Sequence, residues 1–142
     1  MSFADAPGLP EGGLKFMRSV VAPYVNRHWD IHERGQGNVP EEGPVILASN
    51  HIGWLDGPLL FVKSPRPAHA LVKEEEFTGK TGHLLKFVGQ IKVSRTRNDT
   101  GALRRAAHAL LAGQAVLIYP EGTRGGGDFE NVKGGVTWLA LV

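Results

Sequence analysis

The sequence predicts an α/β domain whose sheet is mixed but largely parallel and flanked by helices. Two observations carry that expectation. Short apolar, strand-like runs at 45–48, 70–72, 90–93 and 115–119 alternate with stretches of helical period. Glycine, proline and small polar residues punctuate nearly every junction, and no internal repeat is present, so one layered domain is expected.

Taken in order, residues 1–13 hold three glycines and two prolines and read as a flexible lead-in to a domain over 14–142. From 14 to 29 the pattern is helical: Leu14, Met17, Val21, Tyr24 and Val25 share a face, with Lys15, Arg18 and Arg27 elsewhere. Pro23 is expected to kink that helix or to open a second one. The helix packs on its own core or rests on a membrane surface. Residues 35–44 are turn formers, after which Val45 to Ala48 reads as a short buried strand.

That strand runs into Ser49-Asn50-His51. Asp56-Gly57-Pro58 then gives the chemistry of a helix start before Leu59 to Val62. Ala70-Leu71-Val72 and Gln90 to Val93 are the next strands. Leu103, Ala106, Ala107, Leu110 and Leu111 define an amphipathic helix that Asp99 or Thr100 can cap and Gly113 can end. Ala115 to Tyr119 is the fourth strand, 125–127 a glycine loop, and 132–142 the start of a further helix.

The bulk numbers narrow the function. The 142 residues fit one domain, and 42% hydrophobic with 21% charged residues is a globular make-up. There is no cysteine, so disulfides, thiolate metal sites and a cysteine nucleophile are excluded. No apolar run approaches the ~20 residues that span a bilayer, and the first residues lack a signal-peptide layout. A soluble or membrane-surface protein is therefore expected. The net charge of +2 and pI near 9.1 suit anionic partners or simply a solvated basic surface. Basic and aromatic residues do not interleave, which argues against nucleic acid.

Three loops carry candidate chemistry. In Asn50-His51-Ile52-Gly53-Trp54-Leu55-Asp56, a histidine leaves a strand end and an aspartate follows five residues later. Asp56 can orient the imidazole, fix its tautomer and raise its basicity. This is two-thirds of a hydrolase triad, with the nucleophile left to the substrate. On spacing alone, a turn histidine beside an N-cap aspartate reads equally well. In Gly89 to Arg97, Lys92, Arg95 and Arg97 form either a phosphate site or an ordinary charged loop. In Tyr119-Pro120-Glu121-Gly122-Thr123-Arg124, Arg124 can hold an anion, while Glu121 positions Arg124 or accepts from a hydroxyl. All three loops follow predicted strands, so one rim of the sheet would gather them.

Other chemistries fit less well. Gly79-Lys80-Thr81 matches the tail of a P-loop, but Glu74 occupies the leading glycine position and Glu75 and Glu76 would repel phosphate. No serine sits in Gly-x-Ser-x-Gly, and His28 and His32 lack a third zinc ligand, so no metal site is expected.

In order and spacing, Asn50-His51 with Asp56, Gly89 to Arg95, and Pro120-Glu121-Gly122-Thr123-Arg124 resemble the first three blocks of the glycerolipid acyltransferases. That family includes the 1-acylglycerol-3-phosphate acyltransferases. The resemblance spans roughly residues 40–140. It implies a glycerol-3-phosphate acyltransferase-like fold and transfer of a fatty acyl group from acyl-CoA or acyl-carrier protein to a lysophosphatidate-type acceptor in phospholipid biosynthesis. It also implies His51 as general base and Asp56 as its orienting acid. Arg95, Glu121, Gly122, Thr123 and Arg124 would bind the phosphorylated acceptor, supported by Asn50, Gly53 and Lys92. No cofactor or metal is implied, and the expected setting is peripheral, on the cytoplasmic side of a membrane. Gly53 stands where the family often has serine, and Ile52 where it often has glutamine. The fourth block would fall beyond Val142, so the domain is expected to be incomplete at its C-terminal end. A non-catalytic lipid- or CoA-binding relative, or an inactive fragment, is the alternative.

Overall fold

The computed structural model describes residues 8–94, 99–130 and 132–142. Its elements are α1 (Gly12–His28), β1 (Val45–Ala48), α2 (Asp56–Lys63), β2 (Ala68–Lys73), α3 (Gly79–Phe87), β3 (Ile91–Val93), α4 (Thr100–Leu111), β4 (Ala115–Ile118) and α5 (Gly135–Ala140). The sheet order is β1-β4-β2-β3, and every ladder among the described strands is parallel. β4 is therefore interior. All four of its residues are buried, which is why it reads as an unbroken apolar run instead of an alternating one.

Alternation along β4 splits the core. Val116 and Ile118 join the α4 and α5 side with Ile91, Leu110 and Leu139, while Ala115 and Leu117 meet Leu47, Leu60 and Tyr119 opposite. On α4 the side facing the core is mostly alanine: Ala102, Ala106, Ala107 and Ala109 are all fully buried. Such small side chains let the helix axis approach the sheet closely. Leu111, expected on the core face, is 43% exposed, because the buried stripe runs one position earlier through Ala102, Ala106 and Ala109. Asp99 is the cap, accepting from the Ala102 N–H at 2.9 Å, and Gly113 ends the helix with φ +77.

The N-terminal helix differs in detail from the expectation. It opens at Gly12 and continues through Pro23 as one element. Leu14 is buried and Met17, Val21 and Val25 face inward, but Tyr24 is 57% exposed and lies beside Phe16 and Val20 on the outer side. Ahead of the helix, Leu9 exchanges two hydrogen bonds with the Gln114 side-chain amide, each 2.7 Å, so residues 8–13 are tied to the start of β4. A Cβ at Gly13 would stand 2.1 Å from the Phe87 carbonyl oxygen, so only glycine lets α1 meet the end of α3. Arg18 fixes the other contact of α1. Its guanidinium donates to the carbonyls of Phe61, Ser64 and Arg66 and to Ser64 Oγ, satisfying carbonyls at the end of α2.

α3 had no counterpart in the sequence reading. Its two glycines depress helix propensity, and its apolar pattern is short.

Candidate active site

The β1–β4 register sets the site. Ala48 is the partner of Ile118 and each ends its strand, so His51 and Glu121, three residues further on, lie level on neighbouring loops. The two chains stay together past the ladder: the Ser49 N–H donates to the Ile118 carbonyl at 3.1 Å. Beyond that, the His51 N–H donates to Glu121 Oε1 at 3.3 Å, and the Gly125 N–H to the His51 carbonyl at 2.9 Å. Asn50 Nδ2 reaches the Gly127 carbonyl at 3.5 Å. The first and third candidate loops are thus one hydrogen-bonded unit at the C-terminal edge of a parallel sheet, the edge where such sheets present ligand-handling groups.

Within the first loop, Asp56 Oδ2 collects three donors. His51 Nδ1 lies 3.0 Å away, the Ile52 N–H 2.7 Å and the Gly53 N–H 2.8 Å. The hydrogen bond from His51, followed by those from the Gly53 and Ile52 amides, holds the Asp56 carboxyl below its ordinary range despite an opposing contribution from burial. An ionised carboxylate only accepts, so the hydrogen of a neutral imidazole sits on Nδ1 and the lone pair on Nε2. That is the protonation pattern of a poised base. The Asp56 position at the first residue of α2 also suits its charge.

Tyr119 lies directly against this dyad. Its ring stacks on the His51 imidazole with centroids 4.2 Å apart and planes inclined by 22°. Burial and then the charge of Asp56 push the phenol up to about 12, so it stays neutral.

The third loop is shaped by a turn from the Tyr119 carbonyl to the Gly122 N–H at 2.9 Å and closed by the Lys133 N–H on the Pro120 carbonyl at 2.9 Å. Gly122 has φ +70, a left-handed conformation that glycine adopts without strain. His51, Gly122, Thr123, Arg124 and Lys133 open onto one cleft of about 1900 Å³. Most of its walls are apolar, with Met17, Val21 and Val25 from α1, Leu59 from α2, and Leu84 and Val88 from the α3 region. Among the described residues neither Arg124 nor Lys133 has a carboxylate partner, which leaves two cations facing the cleft.

The predicted residues thus divide. His51, Asp56, Asn50, Gly53, Glu121, Gly122, Thr123 and Arg124 form one cluster, with Glu121 bonded to the His51 backbone and outside the cleft wall. Lys92 is exposed on β3 and does not line the cleft; its carbonyl accepts from Arg105 Nη2 at 2.7 Å. Arg95 and Arg97 lie outside the described residues. Sequence reasoning missed Tyr119 and Lys133. The alternation 115, 117, 119 was a signal for the former, whereas no spacing rule pointed to Lys133. Among the described residues no three His, Asp or Glu side chains are grouped to hold a metal ion, and no helix is long and apolar enough to cross a membrane.

The structure thus joins a parallel α/β domain, a histidine hydrogen-bonded to an aspartate and a Pro-Glu-Gly-Thr-Arg loop at one cleft. The Acyltransferase family model matches residues 30–140, and the chain belongs to the glycerolipid acyltransferase family. Similar proteins include the 1-acyl-sn-glycerol-3-phosphate acyltransferases of Bacillus subtilis, 27% identical over 87% of this chain and 63% of that protein, and of Borreliella burgdorferi, 33% identical over 75% and 44%. A lyso-ornithine lipid O-acyltransferase of Pseudomonas aeruginosa is 29% identical over 67% of this chain and 36% of its own length. In fold, the chain is similar to the crystal structure of the 1-acyl-sn-glycerophosphate acyltransferase PlsC from Thermotoga maritima. The TM-score is 0.67 at 22% identity, over 90% of this chain and 54% of that one. The chain spans less than two thirds of the length of each of these relatives.

Proposed function

We propose that this chain supplies the catalytic centre of an enzyme that moves a fatty acyl group from a thioester, acyl-CoA or acyl-carrier protein, to the free hydroxyl of a lysophosphatidate-type glycerolipid. The observation that supports it is the His51–Asp56 pair placed at an apolar cleft beside Arg124 and Lys133, neither of which has a carboxylate partner among the described residues. In this reading His51 Nε2 takes the proton of the acceptor hydroxyl as its oxygen attacks the thioester carbonyl carbon. The tetrahedral intermediate then collapses with cleavage of the C–S bond. The departing thiolate takes the proton back from the imidazolium, leaving an ester, a free thiol and the starting enzyme.

Arg124 and Lys133 neutralise the acceptor phosphate, and the cleft takes the acyl chains. A positioned base contributes about 10²–10⁴ in rate, and alignment of the two substrates supplies much of the remainder. The exposed row Phe16, Val20 and Tyr24, four residues apart on α1, together with Trp29, supports peripheral attachment to a membrane, on the cytoplasmic side where the thioester donors are found.

The test is incubation of the protein with lysophosphatidic acid and either donor, following release of free thiol. Thiol release matched by phosphatidate formation is expected with one donor at least. Tight binding of both substrates without turnover would instead identify a non-catalytic lipid-binding relative.

A further inference from the structure

We propose that Tyr119 is a positioning residue whose ring fixes the plane of the His51 imidazole; this rests on the base role given to His51 above. One hydrogen bond to Asp56 holds the imidazole at Nδ1 only. The ring can still rock about that bond, because the torsion between Cβ and an aromatic ring has a broad well. Rocking swings Nε2 through an arc, and catalysis is sensitive to displacements of that kind. The Tyr119 ring, 4.2 Å away and nearly parallel, closes one face of the imidazole and removes the motion.

Tyr119 is itself held at both ends. Its backbone follows β4 directly, its carbonyl closes the turn to Gly122, and Pro120 restricts the chain after it. The far end of the side chain reaches the first turn of α2, where a Cβ on Gly57 would lie 4.0 Å from the phenol oxygen. One side chain therefore stacks on the base and ends close to the helix that begins with Asp56. The hydroxyl is buried and has no hydrogen-bond partner among the described residues. It adds nothing to the hold on His51. The stacked ring is the working part, and phenylalanine is a sufficient substitute.

The experiment compares Tyr119→Phe, Tyr119→Leu and Tyr119→Met with the parent protein and with His51→Ala. It measures kcat, both KM values, thermal stability, and the tautomer and line widths of His51 from ¹⁵N imidazole spectra. Tyr119→Phe is expected to keep kcat within about twofold and to leave the Nδ1–H tautomer dominant. Leu and Met are expected to lower kcat about tenfold, the rate equivalent of a lost stacking contact, with both KM values unchanged. In these variants Asp56 should still hold the Nδ1–H tautomer, while the His51 ¹⁵N signals broaden as the ring moves. Methionine, close in volume to leucine and more adaptable, covers the case in which the leucine variant does not fold. Unchanged kcat and ¹⁵N line widths in folded Leu or Met variants overturn the proposal, as does a loss in Tyr119→Phe equal to theirs. Full turnover in His51→Ala sinks the base reading instead, and the ¹⁵N line widths then still decide whether Tyr119 holds the ring.

Discussion

Glu121 Oε1 accepts the backbone N–H of His51 at 3.3 Å, joining two loops that leave adjacent strands. The carboxylate thus holds the main chain of His51, where the sequence had pointed to Arg124 or to an acceptor hydroxyl. Glu121→Gln keeps an accepting oxygen and is expected to hold kcat within about threefold. Glu121→Ala is expected to lose roughly tenfold in kcat, with about 1 kcal/mol of stability. Steady-state kinetics and thermal melts check both. A rise in acceptor KM at constant kcat in the alanine variant would make Glu121 a substrate contact.

Asp56 carries a pH signature. Its carboxyl is held below the ordinary carboxylate range, first by the His51 hydrogen bond and then by the Gly53 and Ile52 amides. A group depressed in the folded state stabilises the protein above its unfolded pKa, and that contribution fades as pH falls through the folded value. The stability gap between the parent and Asp56→Asn should therefore be widest near neutrality and narrow toward acid, below the ordinary carboxylate pKa of about 4. Melting curves between neutral and acidic pH measure it. A gap that widens toward acid contradicts the assignment.

Arg124→Ala and Lys133→Ala should each raise the KM for a phosphorylated acceptor about tenfold while leaving the thioester KM unchanged. An acceptor lacking the phosphate should show neither effect. A shift confined to the thioester KM would move these two cations to the donor site.

Gly53 has room for a side chain. A Cβ there meets only Asp56 Oδ1 at 3.8 Å and the Leu55 nitrogen at 4.0 Å. Gly53→Ser should change stability by no more than about 0.5 kcal/mol and leave kcat near the parent value. Denaturant titration tests this, and a loss of several times that amount would show a loop tighter than the distances indicate.

The outer row of α1 predicts vesicle binding. Replacing Val20 and Tyr24 together by aspartate should cut co-sedimentation with anionic lipid vesicles several-fold without lowering the melting temperature, since both side chains are exposed. Equal sedimentation would remove α1 as the contact.

The fold was legible where patterning is strong. The interior strand β4 is an unbroken apolar run, the Asp99 cap sits ahead of an apolar stripe, and both leave little choice of structure. α3 was not legible, because two glycines and one Leu-Leu pair give neither propensity nor period. In the site, local spacing marked His51 and Asp56, since both belong to one turn. Lys133 reaches the cleft only through the closure of a loop on Pro120, and the Glu121–His51 bond only through the register of two strands. Both relationships are set by tertiary pairing, which no local window of sequence contains. The same holds for the inner face of α1. Arg18 and Gly13 dock that helix through partners far along the chain, and Tyr24 consequently turns outward.

In the proposed mechanism the Asp56-steered imidazole of His51 removes the proton of the attacking hydroxyl. Turnover of folded His51→Ala, followed as thiol release at saturating donor and acceptor, tests it most directly. A fall in kcat of at least about 10² is expected, with substrate binding retained. A variant turning over within about twofold of the parent would contradict it.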